Sequence, residues 1–264
     1  MSTRKTAAKM TLLERRDTAD GTIHILRDRL DGSTIYYQGI GIQSRGNAQG
    51  ETVLGYGRMI CCLTIAAAAR SALVIGCAGG TIATSLHRRG IETVAIDTNP
   101  HAFALASRYF SLPTELETHI ADGRAFLEND SRNWDVIVLD AYNDTSIPTH
   151  LATAAFFRLA ASRLSDTGLI IANVVTQSAR DRRADRIASA MNEAALRVRL
   201  FDDTDDKGGN CLVVGGDRVL ERRRLGRDDG ALRQAASLFR SRPAVQCAAT
   251  QDCLDGSPRL ARKG

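Results

Sequence analysis

Four places in the chain hold residue types from which chemistry can be built: the glycine-rich turn Gly76-Cys-Ala-Gly-Gly80, then Asp97, Asp122 and Asp140. Each stands at the end of a short run with strand character: Ala72–Ile75, Thr93–Ile96, Glu117–Ile120 and Trp134–Leu139. Glycines let the backbone turn sharply and let a ligand reach main-chain N–H groups at the start of a helix. An acid at the end of the second strand of such a unit accepts hydrogen bonds from ribose hydroxyls, which assigns Asp97 to that task. Taken singly, an Asp after a strand serves as a turn or N-cap residue. Four such positions, one per strand, describe a ligand site along the carboxyl ends of parallel strands. The alternative for the glycine turn, close packing of helix on sheet, needs no ligand.

The spacing narrows the ligand. From Gly76 it reads G-x-x-G-G, without the G-x-G-x-x-G of a dinucleotide fingerprint, and no Gly-Lys-Ser/Thr follows, which excludes a nucleotide-triphosphate loop. A cofactor with a ribose and little need of a phosphate cradle remains, and S-adenosylmethionine or its decarboxylated form fits that description.

From residue 72 onward strands alternate with helices, and this order predicts an α/β fold with a doubly wound, mostly parallel sheet. Expected helices are Thr81–Arg89, Pro100–Phe110 with Asn99 as N-cap, Arg124–Asn129, Thr149–Leu164 and Arg180–Ala195. The strand Leu169–Val175 follows a turn at Asp166-Thr-Gly168, and Arg197–Phe201 with Cys211–Val214 reads as a closing antiparallel pair. Ahead of the core, Thr22–Leu26, Thr34–Gln38 and Gly39–Gln43 predict a small β-sheet, and Tyr56–Ala69 a helix. The expected organisation is a flexible basic arm (1–20), a small N-terminal β domain (21–55), a nucleoside-binding α/β domain (56–216) and a basic C-terminal helix, Ala231–Arg240, with its tail (217–264). The acidic stretch Asp202–Asp206 reads as a solvated turn, with a lid attracting a cationic substrate as the alternative.

Composition limits the partners. The 264 residues carry a formal charge of +5, gathered at both termini, in Arg180–Arg186 and in Arg218–Arg227. Aromatic residues make up only 5% of the chain and do not interleave with these clusters, so solvated helix faces and tails are expected rather than a nucleic-acid surface. No apolar run approaches the ~18 residues that span a bilayer, and Met1–Arg16 is polar and basic, so no membrane partner and a cytoplasmic location are expected. The six cysteines show no paired spacing; reduced thiols and no metal site follow.

The order of the motifs resembles the spermidine synthase family of aminopropyltransferases over about residues 22–215. Tyr37-Gln38 and Ile42-Gln43 resemble its N-terminal β segment, Tyr56 with Met59 its tyrosine-containing helix, and Ile75-Gly-Cys-Ala-Gly-Gly80 its glycine loop. Asp97-Thr-Asn-Pro100 resembles its ribose-acid segment, Ala121-Asp-Gly-Arg124 its Asp-Gly pair, and Trp134–Asp140 the strand ending in the catalytic aspartate. The resemblance implies a seven-stranded sheet of the class I methyltransferase type and transfer of an alkyl group from a sulfonium centre to an amine. Asp140, with Tyr56, would be catalytic, Asp140 accepting the amine proton or orienting the amine. Gln43, Gly76, Cys77, Ala78, Gly79, Asp97, Asp122, Gly123, Asp140 and Ala141 would hold the donor, with Asp122 facing the adenine amino group. Tyr142, Asn143 and Asp144 would face the acceptor. Tyr56 reads equally as a packing residue. Two positions depart from the family: Gly79 stands where the loop carries an acid, and Asn143 where a second acid follows the catalytic strand. Both weaken the case for a diamine. A methyltransferase using S-adenosylmethionine and a non-catalytic nucleoside-binding module therefore stay open beside the aminopropyl reading. The resemblance also implies a homodimer, although no dimer seam is legible.

Overall fold

The computed structural model describes residues 9–39, 41–143, 146–203, 208–216 and 239–242. Alternating residues build the N-terminal sheet first, an antiparallel meander of β1 (Met10–Thr18), β2 (Gly21–Asp28), β3 (Thr34–Gln38) and β4 (Gly41–Gly46). Residues 10–18, expected in a flexible arm, pair with β2 along their length. Their strand character is hard to see because β1 buries no residue fully. Leu13 packs partly buried against the cluster of Ile23, Ile25 and Phe110, and polar contacts add to it: the Glu14 carboxylate takes Arg16 (2.6 Å), the Tyr109 hydroxyl (2.8 Å) and Arg108 (3.3 Å). The strand expected from Gly39 begins two residues later, because Gly39 takes the turn with φ +59°.

The remaining elements follow as α1 (Gly55–Ala66), β5 (Ser71–Ile75), α2 (Thr81–His87), β6 (Glu92–Asp97), α3 (Ala102–Phe110), β7 (Glu117–Ile120), α4 (Gly123–Asn129) and β8 (Trp134–Leu139). After a 3-10 turn at Thr149–Leu151 come α5 (Ala154–Ser162), β9 (Leu164–Thr176), α6 (Arg183–Glu193), β10 (Arg197–Asp202), β11 (Gly209–Gly216) and β12 (Arg240–Arg242). The expected single helix from Thr149 is interrupted because Thr153 caps a new one, its Oγ1 accepting from Phe156 N at 3.1 Å. The helix expected from Pro100 starts at Ala102, with Asn99 bonding forward to His101 N (2.9 Å).

The central sheet runs β12-β10-β11-β9-β8-β5-β6-β7. The five strands from β9 to β7 are parallel, and the β9–β11, β11–β10 and β10–β12 pairings are antiparallel. Eight strands therefore stand where seven were expected, the addition being β12 on the edge of β10. Residues 217–238 and 243–264 of the expected C-terminal helix and tail lie outside the described residues, as does Asp144.

Both faces of the sheet are covered at its centre, so the inner strands β5 and β8 are near-continuous apolar runs, whereas β7 at the edge is half-exposed. On β5, Ala72 and Val74 face one layer with Met59 of α1 and Leu86 of α2, while Leu73 and Ile75 face the other with Phe156 of α5 and Met191 of α6. The N-terminal sheet packs Ile23, Ile25 and Tyr36 on Leu105 and Phe110 of α3, which brings β4 to the carboxyl ends of the central strands. No helix among the described residues is long and apolar enough to cross a membrane.

Candidate active site

Strand order β8-β5-β6-β7 sets Asp140, Gly76, Asp97 and Asp122 side by side along the carboxyl edge, in that sequence. Backbone bonds continue beyond or close to the strand ends: Asp140 N to Ile75 O (2.8 Å), Gly76 N to Ile96 O (2.8 Å) and Ala121 N to Asp97 O (3.0 Å). Connections leave β5 toward β6 on one side and reach β8 on the other, so a crevice opens between β5 and β8, where open α/β sheets bind ligands. Gly76 has φ +95°, and a Cβ there would collide with the Asp140 carbonyl, so glycine is required for the two loops to meet.

Asp97 is committed to the glycine turn. Its Oδ2 accepts from Cys77 N (2.8 Å) and Ala78 N (3.1 Å), and its Oδ1 from Asn99 N (2.8 Å). A carboxylate offers roughly four acceptor positions, so one remains for a ribose hydroxyl. Asp122 is the N-cap of α4, with Oδ1 accepting from Arg124 N and Ala125 N (3.0 Å each), and its Oδ2 pairs with His150 Nε2 at 2.7 Å. Burial opposes its ionisation, but the bonds from Ala125 N and His150 outweigh it and hold the carboxyl below its usual range. Gly123 is buried against Ile75, where a Cβ would collide with Cγ2, and this closeness seats α4 on the end of β5.

The crevice holds a cavity of about 400 Å³ whose wall includes Gln43 of β4, Tyr56 of α1, Gly76, Cys77 and Ala78 of the turn, Asp140 and Tyr142. Burial pushes the Asp140 carboxyl up to about 7, against the opposing pull of Asn173 and Tyr56. Asn173 Nδ2 donates to Asp140 Oδ1 at 2.8 Å. The Tyr56 hydroxyl donates to Gln43 O at 3.1 Å and lies beside the carboxylate it helps stabilise. Tyr142 is fixed to β9, donating to Asn173 O (2.6 Å) and accepting from Val175 N (2.9 Å). The result is an anchored carboxyl group that changes charge near neutrality, the property of a general base.

Of the other expected residues, Gly79, Asp97, Asp122, Gly123, Ala141 and Asn143 lie outside this cavity wall. Asn143 exchanges backbone bonds with Ser146 in a tight turn. Gly79 donates its N–H to Ser44 Oγ (3.1 Å), and a Cβ there would stand 2.9 Å from both Ser44 Cβ and Phe110 Cε1. The contact of β4 and α3 with the loop thus leaves no room for a side chain.

The structure adds wall residues that the sequence reading did not select: Asn173 and Gln177 at the end of β9, Arg183 of α6, and Asp203 and Asn210 of the β10–β11 hairpin. Arg183, expected on a solvated helix face, is instead paired with Asp181 (Nη2–Oδ2 2.6 Å) at the cavity. Asn173 did leave a signal, as the one polar side chain in the apolar run Leu169–Val175. Asp203 lies in the acidic stretch whose alternative reading is a lid attracting a cationic substrate, whereas Arg183 left no signal, since only tertiary structure brings it to the crevice.

No family model matches the chain. Among curated proteins it is 29% identical over 128 residues to a probable polyamine aminopropyl transferase of Bifidobacterium longum, covering 48% of this chain and 29% of that protein. It is 35% identical over 112 residues to an N-terminal histidine N-methyltransferase of Emericella nidulans, covering 40% of this chain and 20% of that one. The match thus spans less than a third of the length of either relative. Among solved structures, a probable spermidine synthase from Corynebacterium glutamicum superposes with a TM-score of 0.71 at 18% identity, over 96% of this chain and all of that one. A spermidine synthase in complex with the transition state analogue AdoDATO superposes with a TM-score of 0.64 at 17% identity, over 81% of this chain and 76% of that one. The chain has the spermidine synthase fold and is distantly related to the polyamine aminopropyltransferases.

Proposed function

We propose that the protein transfers an alkyl group from a sulfonium nucleoside to an amine, the first reading being an aminopropyl group from decarboxylated S-adenosylmethionine. The observation that carries this is Asp140: a carboxyl titrating near 7 at the β5/β8 crevice, in a cavity that also meets the glycine turn. The sulfonium already provides a good leaving group, so the protein has to align donor and acceptor and keep the amine unprotonated. The amine nitrogen attacks the carbon bonded to sulfur, the C–S bond breaks, and its electron pair stays on sulfur as a thioether. The proton released from nitrogen passes to the Asp140 carboxylate. Tyr56 and Gln43 shape the wall at the reacting atoms, and Tyr142 fixes the opposite side. The remaining acceptor position of Asp97 would take the ribose, and Asp122 with Gly123 and Ala141 would bound the adenine.

A second reading, methyl transfer from S-adenosylmethionine, is supported by Gly79, where no acid can stand to receive the tail of a decarboxylated donor and where a donor carboxylate meets no repulsion. Incubation with each donor and an amine separates the two by the thioether formed: methylthioadenosine reports aminopropyl transfer, S-adenosylhomocysteine methyl transfer. Neither thioether forming with any amine would refute the proposed transfer.

A further inference from the structure

The N-terminal sheet brings one more polar group to the ribose end of the crevice. Tyr36 of β3 pairs with Ile25 on one side and Ser44 on the other, and its ring belongs to the cluster with Ile23, Leu105 and Phe110 that docks this sheet on α3. Ala78 of the glycine turn packs on the same cluster, and Ser44 Oγ accepts from Gly79 N at 3.1 Å, so β3 and β4 meet the turn here. A register shift between Tyr36 and Tyr37 leaves Gln43 as an extra residue of β4. A bulge of this kind re-aims side chains: Gln43 goes to the cavity wall and Ser44 to the turn.

Of the five tyrosines Tyr36 alone is buried, at 1% exposure. Tyr56, Tyr109 and Tyr142 each donate through the hydroxyl, to Gln43 O, Glu14 Oε2 and Asn173 O, whereas the Tyr36 hydroxyl meets no hydrogen-bonding partner among the described residues. Thr84 Oγ1 is the one wholly enclosed side-chain polar atom left unpaired among them, so the Tyr36 hydroxyl is the tip through which an otherwise enclosed ring reaches open space. Folded chains pair nearly all their buried polar groups, and such an exception calls for a ligand or another explanation. Burial, and after it the carboxylate of Asp97, push the phenol well above its ordinary range, so it keeps its proton and can donate. A carboxylate only accepts, while a phenol donates as well. A ribose carries two neighbouring hydroxyls, and Asp97 has one acceptor position left for one of them. We propose that Tyr36 is a specificity-determining residue of the donor site, its hydroxyl bonding the ribose hydroxyl that Asp97 does not take. The pair selects a nucleoside with both hydroxyls over a deoxynucleoside and extends the site from the crevice across the glycine turn to the N-terminal sheet. The inference rests on the transferase reading above, through its nucleoside donor.

The test is calorimetric titration of the full chain and of Tyr36→Phe with methylthioadenosine, S-adenosylhomocysteine and the 2′-deoxy and 3′-deoxy forms of each. Phenylalanine keeps the ring and its packing and loses only the hydroxyl. The variant is expected to bind the parent nucleoside roughly two- to tenfold more weakly, the worth of one hydrogen bond. One deoxy form, lacking the hydroxyl that Tyr36 reads, should bind both proteins equally, while the other keeps the difference between them; this coupling is what a merely structural role would not produce. Thermal unfolding of the unliganded variant should occur no lower than in the full chain, since no internal bond is lost. Equal binding of the parent by both proteins, an equal loss for parent and both deoxy forms, or a lower unfolding temperature would overturn the inference and leave the nucleoside site standing. Binding of no nucleoside by the full chain would strike the nucleoside donor itself, and this inference with it.

Discussion

Replacing Asn173 with alanine tests whether Asp140 is a base tuned by its surroundings. Asn173 is buried, 2% exposed, and its amide donates to Asp140 Oδ1 at 2.8 Å. A hydrogen bond to a charged group contributes roughly 1.5–3 kcal/mol, and this one favours the ionised form, so removing it makes ionisation roughly ten- to a hundredfold harder. With the Asp140 carboxyl starting at about 7, half of it is ionised at neutral pH in the full chain and roughly a tenth or less in the variant. The sign is fixed: the base form is the carboxylate, so the rising limb of the pH–rate profile moves to higher pH. Rate at pH 7 should fall about fivefold or more and recover above pH 9. The same shift is measurable without any acceptor by carbon NMR titration of the Asp140 carboxyl, identified by its absence in Asp140→Asn. A uniform loss of rate at every pH, with the carboxyl titrating where it did before, would refute the reasoning and leave Asn173 a packing residue.

Asp140→Asn should abolish transfer while donor binding persists. It should also stabilise the unliganded protein at high pH: the wild-type carboxyl holds its proton up to about 7 in the folded state but only to roughly 3.9 when unfolded. Its stabilising contribution is complete below the lower value and lost as pH rises through the upper. The gain at pH 8 is at most about 4 kcal/mol and narrows toward pH 5. Thermal unfolding at both pH values reads it, and a difference independent of pH would contradict the buried-carboxyl account. Gly79→Ala forces a Cβ against Ser44 and Phe110 and should cost about 1–3 kcal/mol, read as a lower urea midpoint; an unchanged midpoint would mean that the loop has room. Asp97→Ala releases the bonds from Cys77 N, Ala78 N and Asn99 N, so amide exchange should speed up across residues 76–80, and unchanged protection there would show that the turn holds itself.

The local pattern revealed the parallel core because its strands are continuous apolar runs separated by turn residues, and the four strand-end positions fall on the carboxyl edge as the alternation requires. What sequence spacing does not distinguish is an acid waiting for a ligand from one already bonded to its own backbone. Asp97 and Asp122 are both turned to N–H groups, the former across twenty residues and the latter at its own helix. The polar half of the cavity was hidden for a different reason. Asn173, Arg183, Asp203 and Asn210 converge only when the antiparallel hairpin docks beside β9, a pairing of segments distant in sequence. β1 was missed because its packing side chain Leu13 is only partly buried and salt bridges and hydrogen bonds supply much of what ties it to the rest of the chain.

Calorimetric titration with S-adenosylmethionine and, separately, its decarboxylated form tests the central claim most directly. The account predicts saturable binding with the decarboxylated donor preferred, and retention of that binding in Asp140→Asn. Binding of neither donor would contradict the nucleoside site at the β5/β8 crevice and every role assigned to the residues around it.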